Sequence, residues 1–286
     1  MPGVTPIHLK PATELAERVL LPGDPHRALA VAQVLLEQPK MFNHHRGLWG
    51  YTGVARDGEL LTVQATGMGG PSAAIVFHEL VALGARTFIR IGTCGAIGDD
   101  GLAIGDVVAV ERALAEDGTS AALGANGEVM PDAILTDALR EACGGRAVTA
   151  VSTDLFYDDR DGPVADWVER GASAVEMEAA TLFQAARVNR VLAACVLGVT
   201  DIVGQERLEI SDGMTDAALL DARSHDVNGS ETLQPVVERV KAGGVDSVIV
   251  RQQDSHVSSM MRRGENGGRF RRSRNSTVWC VNKSWR

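Results

Sequence analysis

No uninterrupted apolar run in the 286 residues approaches the 18 or so that a membrane-spanning helix needs, and no charged start precedes an apolar stretch. The expectation is a soluble cytoplasmic protein with no membrane partner. The four cysteines, Cys94, Cys143, Cys195 and Cys280, are scattered without a CxxC pair or a Cys/His cluster, so neither zinc nor a disulfide framework is expected and no metal ligand is assigned. They read as small buried hydrophobes. GxGxxG is missing, as is GxxxxGK followed by Ser or Thr, which weakens any dinucleotide or P-loop reading. No internal repeat is visible.

Apolar residues make up 45% of the chain, enough for one large domain or two small ones with a full core. The formal charge of -9 is unevenly spread: residues 251–286 hold nine Lys/Arg against two acids, a net of +7, so the first 250 residues carry -16. An acidic body is a poor partner for nucleic acid, and any phosphate site within it must rest on a few placed arginines. From about Gly243 the chain is rich in Arg, Ser and Gly without a period. Residues 1–242 are therefore read as the folded domain, with an atypical closing region at 212–242, and 243–286 as a disordered or poorly packed basic tail.

Short apolar segments at 60–66, 86–92, 105–110, 147–153 and 191–200 read as buried strands. Helical spacing falls between them at 25–38 and 71–85, the latter with Pro71 at the first helical position, and again at 177–188. Alternation of strands and helices predicts an α/β fold around a central sheet.

Two Gly-rich turns open helices, LLPGDPHR (20–27) and TGMGGPSAA (66–74); backbone N–H groups in such turns can receive an anion, and Arg27 adds charge. FIRIGTCGA (88–96) places Arg90 inside an apolar strand, where a guanidinium needs an anion or a buried Glu partner, and Thr93 follows with a hydroxyl. Gly23, Arg27, Arg90 and Thr93 thus form a candidate anion site at the carboxyl ends of strands. Asp201, after VLGVT, is either a cap or a general acid. In GASAVEMEAA (171–180), Glu176 and Glu178 are read as the first turn of a helix. Residues two apart lie about 200° apart on a helix, so at most one of them would enter a given pocket.

PGDPHR, HHRGLWGYTG (44–53), TGMGGPSAA, IRIGTCGA, STDLFY (152–157), AVEMEAA and VTD occur in that order. Together they resemble the trimeric/hexameric nucleoside phosphorylases, specifically the bacterial purine nucleoside phosphorylases, from residue 6 to about 212. The resemblance implies a single phosphorylase/hydrolase-like domain with a mixed sheet flanked by helices. It implies that Gly23, Arg27, Arg90 and Thr93 hold inorganic phosphate, joined by Arg46 of a neighbouring subunit. Met68, Met177 and Glu178 would meet the ribose, with Glu176 close by, and His8 of the neighbour would reach the 5′-hydroxyl. Phe156 and Val175 would flank the base, while Thr200 and Asp201 face its edge and Asp201 protonates N7. A free Asp is ionised at neutral pH, so that proton must be supported by burial or by the base itself. The implied partners are a nucleoside, phosphate as co-substrate and further copies of the chain in a dimer-based hexamer, with no cofactor.

Two departures bear on the reading. Uridine phosphorylases carry a Gln-x-Arg element after the matching Phe-Tyr, whereas FYDDRDG offers Arg160 and no Gln. The arginine that assists the catalytic Asp in purine enzymes has only Arg207 as a counterpart here, at an uncertain match. Uridine phosphorolysis and a nucleoside-binding protein without catalysis are the alternatives.

Overall fold

The computed structural model describes residues 5–160 and 162–204, together with the paired two-residue strands Arg271–Arg272 and Trp279–Cys280. The expectations for the closing region, for Arg207 and for the rest of the tail lie outside the described residues.

The chain runs β1 (Arg18–Pro22), α1 (Pro25–Leu35), β2 (Glu37–Asn43), a 3-10 turn (His45–Gly47), β3 (Gly50–Val54), β4 (Leu60–Gln64), α2 (Gly69–Leu83) and β5 (Thr87–Ala96). It continues through β6 (Val107–Glu116), α3 (Gly118–Ala122), β7 (Glu128–Val129), α4 (Ala133–Ala142) and β8 (Ala147–Thr153). Last come α5 (Pro163–Glu169), β9 (Ala174–Glu176), α6 (Ala179–Asn189) and β10 (Leu192–Ile202). The fold is α/β, with a large mixed sheet flanked by helices.

β4, β1, β5 and β10 lie side by side in parallel, and β3 and β2 extend the β4 edge antiparallel. Beyond β10 the sheet curls: β6 pairs antiparallel with β10, β8 and β9 follow parallel, and β9 closes the ring onto Gly95 and Ala96 of β5. One edge of β5 therefore belongs to β1 at residues 87–91 and to β9 at 95–96. The sheet forks between these two stretches, and the carboxyl ends of β1 and β4 part there from the ring.

Strand alternation distributes the core to both faces. Val19, Leu21 and Phe88 pack with α2 and α6, where the Phe77 and Phe88 ring centroids are 4.3 Å apart; Leu20, Ile89 and Ile91 pack with α1 and α4. Coverage of both faces is why these strands read as continuous apolar runs.

The strand at 147–153 appears where the sequence places it; the others shift for local reasons. Helix α1 stops at Leu35 rather than 38, because Leu36 is extended and Pro39 has no N–H to bond the Leu35 carbonyl. In α2, Pro71 is the third helical residue, not the first; the N–H it lacks has no intrahelical partner at either position. β5 runs on to Ala96 because β10 accompanies it through the glycines. The helix expected from 177 begins at Ala179, and Glu176 ends a strand, so the helical geometry assumed for the glutamate pair does not hold.

Helices α2, α3 and α6 meet at a buried carboxylate. Asp117 caps α3 through the Ser120 N–H at 2.7 Å and accepts the Thr181 hydroxyl of α6 at 2.6 Å. Gly70 lies against this cluster: a Cβ there would stand 2.7 Å from Thr181 Oγ1 and 3.0 Å from Asp117 Oδ2. Gly70→Ala is expected to destabilise the protein by about 1–3 kcal/mol through overpacking, despite alanine's better helix propensity. The urea midpoint measures it, and an unchanged midpoint would show that α2 and α6 are free to part.

Candidate active site

A cavity of about 620 Å³ opens at the fork, at the carboxyl ends of β1, β4, β5, β8 and β10, where open α/β sheets place their ligands. Its size is that of a small-molecule site. Each wall is a strand end or the turn that follows it.

Arg90 organises the floor. On β5 it shares a face with Phe88, yet its guanidinium meets carboxylates rather than side-chain carbon, because Gly92, two residues on, leaves the space free: a Cβ there would stand 2.8 Å from Arg90 Cζ. Arg90 Nε donates to Glu176 Oε2 at 3.1 Å, and Nη2 donates to Glu178 Oε2. All three side chains are buried. Burial alone would lower the Arg90 pKa; the charges of Glu178 and Glu176 reverse this and hold it above its ordinary value. Both glutamates therefore serve one pocket, against the expectation from helical spacing, because the chain passes from strand to helix between them.

The two carboxylates differ in what remains available. Glu176 accepts from Arg90 Nε, from the Ser152 hydroxyl, and from the N–H groups of Glu178 and Ala179 at 2.9 Å each. Four donors occupy its acceptor sites. Burial pushes its pKa up, Glu178 adds to this and Arg90 opposes it. Glu178 receives Gly69 N–H at 2.6 Å and Arg90 Nη2, which leaves acceptor capacity on both oxygens. Ser152, which also accepts Ala180 N–H at 2.8 Å, had no role assigned from sequence. Its signal was only its place at a strand end.

Across from Arg90 stands Arg27, in the first turn of α1 behind Asp24, whose Oδ1 accepts Arg27 N–H at 2.8 Å. Desolvation, then the charge of Arg90, lower the Arg27 pKa. Arg27 Nε and Arg90 Nη1 are both buried and without a hydrogen-bond partner. Two guanidiniums that repel each other and each keep an unused N–H form an arrangement that an anion would satisfy. Gly23 and Thr93 line the same cavity.

The opposite wall is β10. Its pairing with β5 slips between Val199 and Asp201, and the extra residue lets both Thr200 and Asp201 line the cavity. Thr200 Oγ1 lies 2.9 Å from Asp201 Oδ1 and 3.3 Å from the Cys94 carbonyl. Val175 and Met177 complete the interior, while Met68, 87% exposed, and Phe156, 52% exposed, stand at the mouth beside Tyr157. Cys94 lines the cavity as a neutral thiol, its pKa pushed up by burial.

His8 and Arg46 are not in this cavity lining. Instead both are linked through His45: its Nδ1 donates to the His8 carbonyl at 3.0 Å, and Arg46 follows it in the same 3-10 turn, exposed and with positive φ. Arg160 is also absent from the lining; it is turned onto Asp158 in an exposed pair.

The chain is similar to known proteins over most of its length. Residues 17–239 match the family model described as the phosphorylase superfamily. A protein of Exiguobacterium sp. is 35% identical over 204 residues, covering 68% of this chain and 85% of the relative. One of Geobacillus kaustophilus is 36% identical over 211 residues, covering 70% and 88%, and one of Jannaschia sp. is 36% identical over 221, covering 72% and 94%. All three are named purine nucleoside phosphorylase DeoD-type. With its forked sheet, its paired arginines and this match over most of its length, the chain belongs to the phosphorylase superfamily.

Proposed function

We propose that this protein is a purine nucleoside phosphorylase, converting a purine nucleoside and phosphate reversibly into the free base and ribose 1-phosphate. The observation that carries the reading is the pair of buried, unpartnered N–H groups on Arg27 and Arg90. Hydrolytic relatives use water and do not need this cationic pair; phosphorolysis does. The relatives' shared name and the family match over 17–239 support the same assignment and a phosphorylase domain at 1–242.

In this reading phosphate sits on Arg27, Arg90, Thr93 and Gly23. Glu178 accepts hydrogen bonds from the 2′- and 3′-hydroxyls, and Glu176 holds Arg90 and the start of α6 in place. Met68 and Met177 cover the sugar, while Phe156 and Val175 flank the purine. As the C1′–N9 bond breaks, the ring oxygen shares positive charge with C1′, the bound phosphate stabilises it, and a phosphate oxygen forms the new bond to C1′. The electron pair passes to the purine, whose N7 takes the Asp201 proton, with Thr200 orienting Oδ1. Phosphate is a co-substrate, and the step uses no cofactor.

The protein is proposed to act in the cytoplasm as a homo-oligomer built from dimers, with His8 and Arg46 completing the pocket of a neighbouring copy. Their absence from the cavity lining and their link through His45 support this. Arg160, folded onto Asp158, gives no support to uracil recognition.

A nucleoside panel assayed with and without phosphate tests the reaction; release of base that ignores phosphate would refute it, and no release at all would favour a binding protein. Arg27→Gln is expected to raise the KM for phosphate by 10-fold or more, since a charge-assisted hydrogen bond contributes about 1.5–3 kcal/mol. Stability should not fall, because repulsion with Arg90 is relieved; an unchanged KM would remove Arg27 from the anion site. Mixing inactive Arg46→Ala with inactive Arg90→Gln subunits should restore activity after exchange, and no recovery despite exchange would mean each chain completes its own site. Asp201→Asn is expected to cost about 10²- to 10⁴-fold in kcat/KM for adenosine. It should cost less for inosine and little for 7-methylguanosine, whose ring is already cationic. Equal losses on all three substrates would leave Asp201 a structural residue.

A further inference from the structure

Glu79 is a buried carboxylate in the middle of α2, outside the cavity lining, and the reaction described above gives it no task. Its contacts are all with the N-terminal segment. Oε1 accepts the N–H of Ile7 and of His8 at 3.1 Å each and the His8 Nδ1 proton at 2.7 Å. Oε2 accepts the N–H of His8 at 3.0 Å and of Leu9 at 2.7 Å. Burial alone would raise the Glu79 pKa; the hydrogen bonds from Leu9, His8 and Ile7 outweigh it and hold the group below its ordinary value, so it is ionised at neutral pH.

The same short segment is held from its other side. His45 donates to the His8 carbonyl at 3.0 Å, and Asn43 Oδ1 accepts Lys10 N–H at 2.9 Å. Every backbone polar group of His8, together with one ring nitrogen, therefore has a fixed partner. Holding three successive N–H groups already suffices to fasten the strap. Engagement of Nδ1 in addition fixes the ring: an ionised carboxylate can only accept, so Nδ1 carries the proton and, in the neutral imidazole, Nε2 is an acceptor.

We propose that Glu79 is a positioning residue for the nucleoside 5′-hydroxyl, setting both the orientation and the tautomer of His8 so that Nε2 accepts the hydroxyl proton of a nucleoside bound in the neighbouring copy. This rests on the preceding reading, in which His8 serves that site. Glu79 touches no substrate. Its effect passes through one imidazole and is confined to substrates that carry the 5′-oxygen.

The test is the ratio of kcat/KM for inosine to that for 5′-deoxyinosine, measured on the assembled full-length enzyme with Glu79→Gln, His8→Ala and the double variant. The deoxy substrate reports folding, assembly and the phosphate site, so the ratio isolates the 5′ end. Glu79→Gln is expected to lower the ratio about fivefold, as losing the alignment of one hydrogen bond would. The double variant should match His8→Ala alone, since Glu79 acts only through that ring. Glu79→Asp, which keeps the charge and draws it back by one methylene, should shift the ratio in the same direction and provides the measurement if the Gln variant does not assemble. If His8→Ala lowers the ratio while both Glu79 variants leave it unchanged, the positioning role is overturned and the reading of His8 stands. If His8→Ala itself leaves the ratio unchanged, the reading of His8 falls and the proposal with it.

Discussion

The buried contact of Arg90 with Glu176 and Glu178 is the constraint on which the rest of the site depends. Three charges withdrawn from water are tolerable only as a closed set: removing one partner of such a set typically costs about 3–5 kcal/mol, because the remaining charges are left uncompensated. Here the set joins β5, the end of β9 and the start of α6. Gly69 N–H, bonded to Glu178, adds the start of α2. The elements that shape the cavity are thus held together by the groups that would hold a ligand. Arg27 stands apart from this logic. Its backbone N–H bonds the Asp24 cap, but its pKa is lowered and its Nε is a buried donor without a partner.

The forked sheet explains how so many strand ends face one space. A flat parallel sheet carries its strand ends along a line, and only neighbours meet there. Closing β9 onto the far end of β5 bends that line into an arc around the cavity. The glycines of IRIGTCGA serve the bend in separate ways. Gly92 makes room for a guanidinium, and Gly95 leaves 3.0 Å between where a Cβ would be and Asp201 Oδ2.

Much of this was legible in the residues, and the exceptions share a cause. β8 is continuous, apolar and bounded, and matches residue for residue; Arg90 inside an apolar strand signalled a buried glutamate partner, and Glu176 and Glu178 are there. The period of GASAVEMEAA misled, because periodicity presumes a single backbone geometry and the chain changes geometry between Glu176 and Ala179. Three-residue β9 is too short to show a period at all. Glu79 was invisible for another reason. It sits in an apolar helix at a position where a carboxylate looks misplaced, and its partners lie some 70 residues away in the sequence.

The slip in β10 puts two polar side chains next to each other on the cavity wall. Side chains along a strand alternate like odd and even numbers, and a single supernumerary residue changes the parity of everything after it. Between Val199 and Asp201 the strand takes in one residue and then resumes its pairing with β5. A chain without the extra residue would keep Asp201 opposite Gly95 and lose Thr200 from the cavity wall. Length at this point, as much as residue identity, decides whether the carboxyl has a hydroxyl beside it.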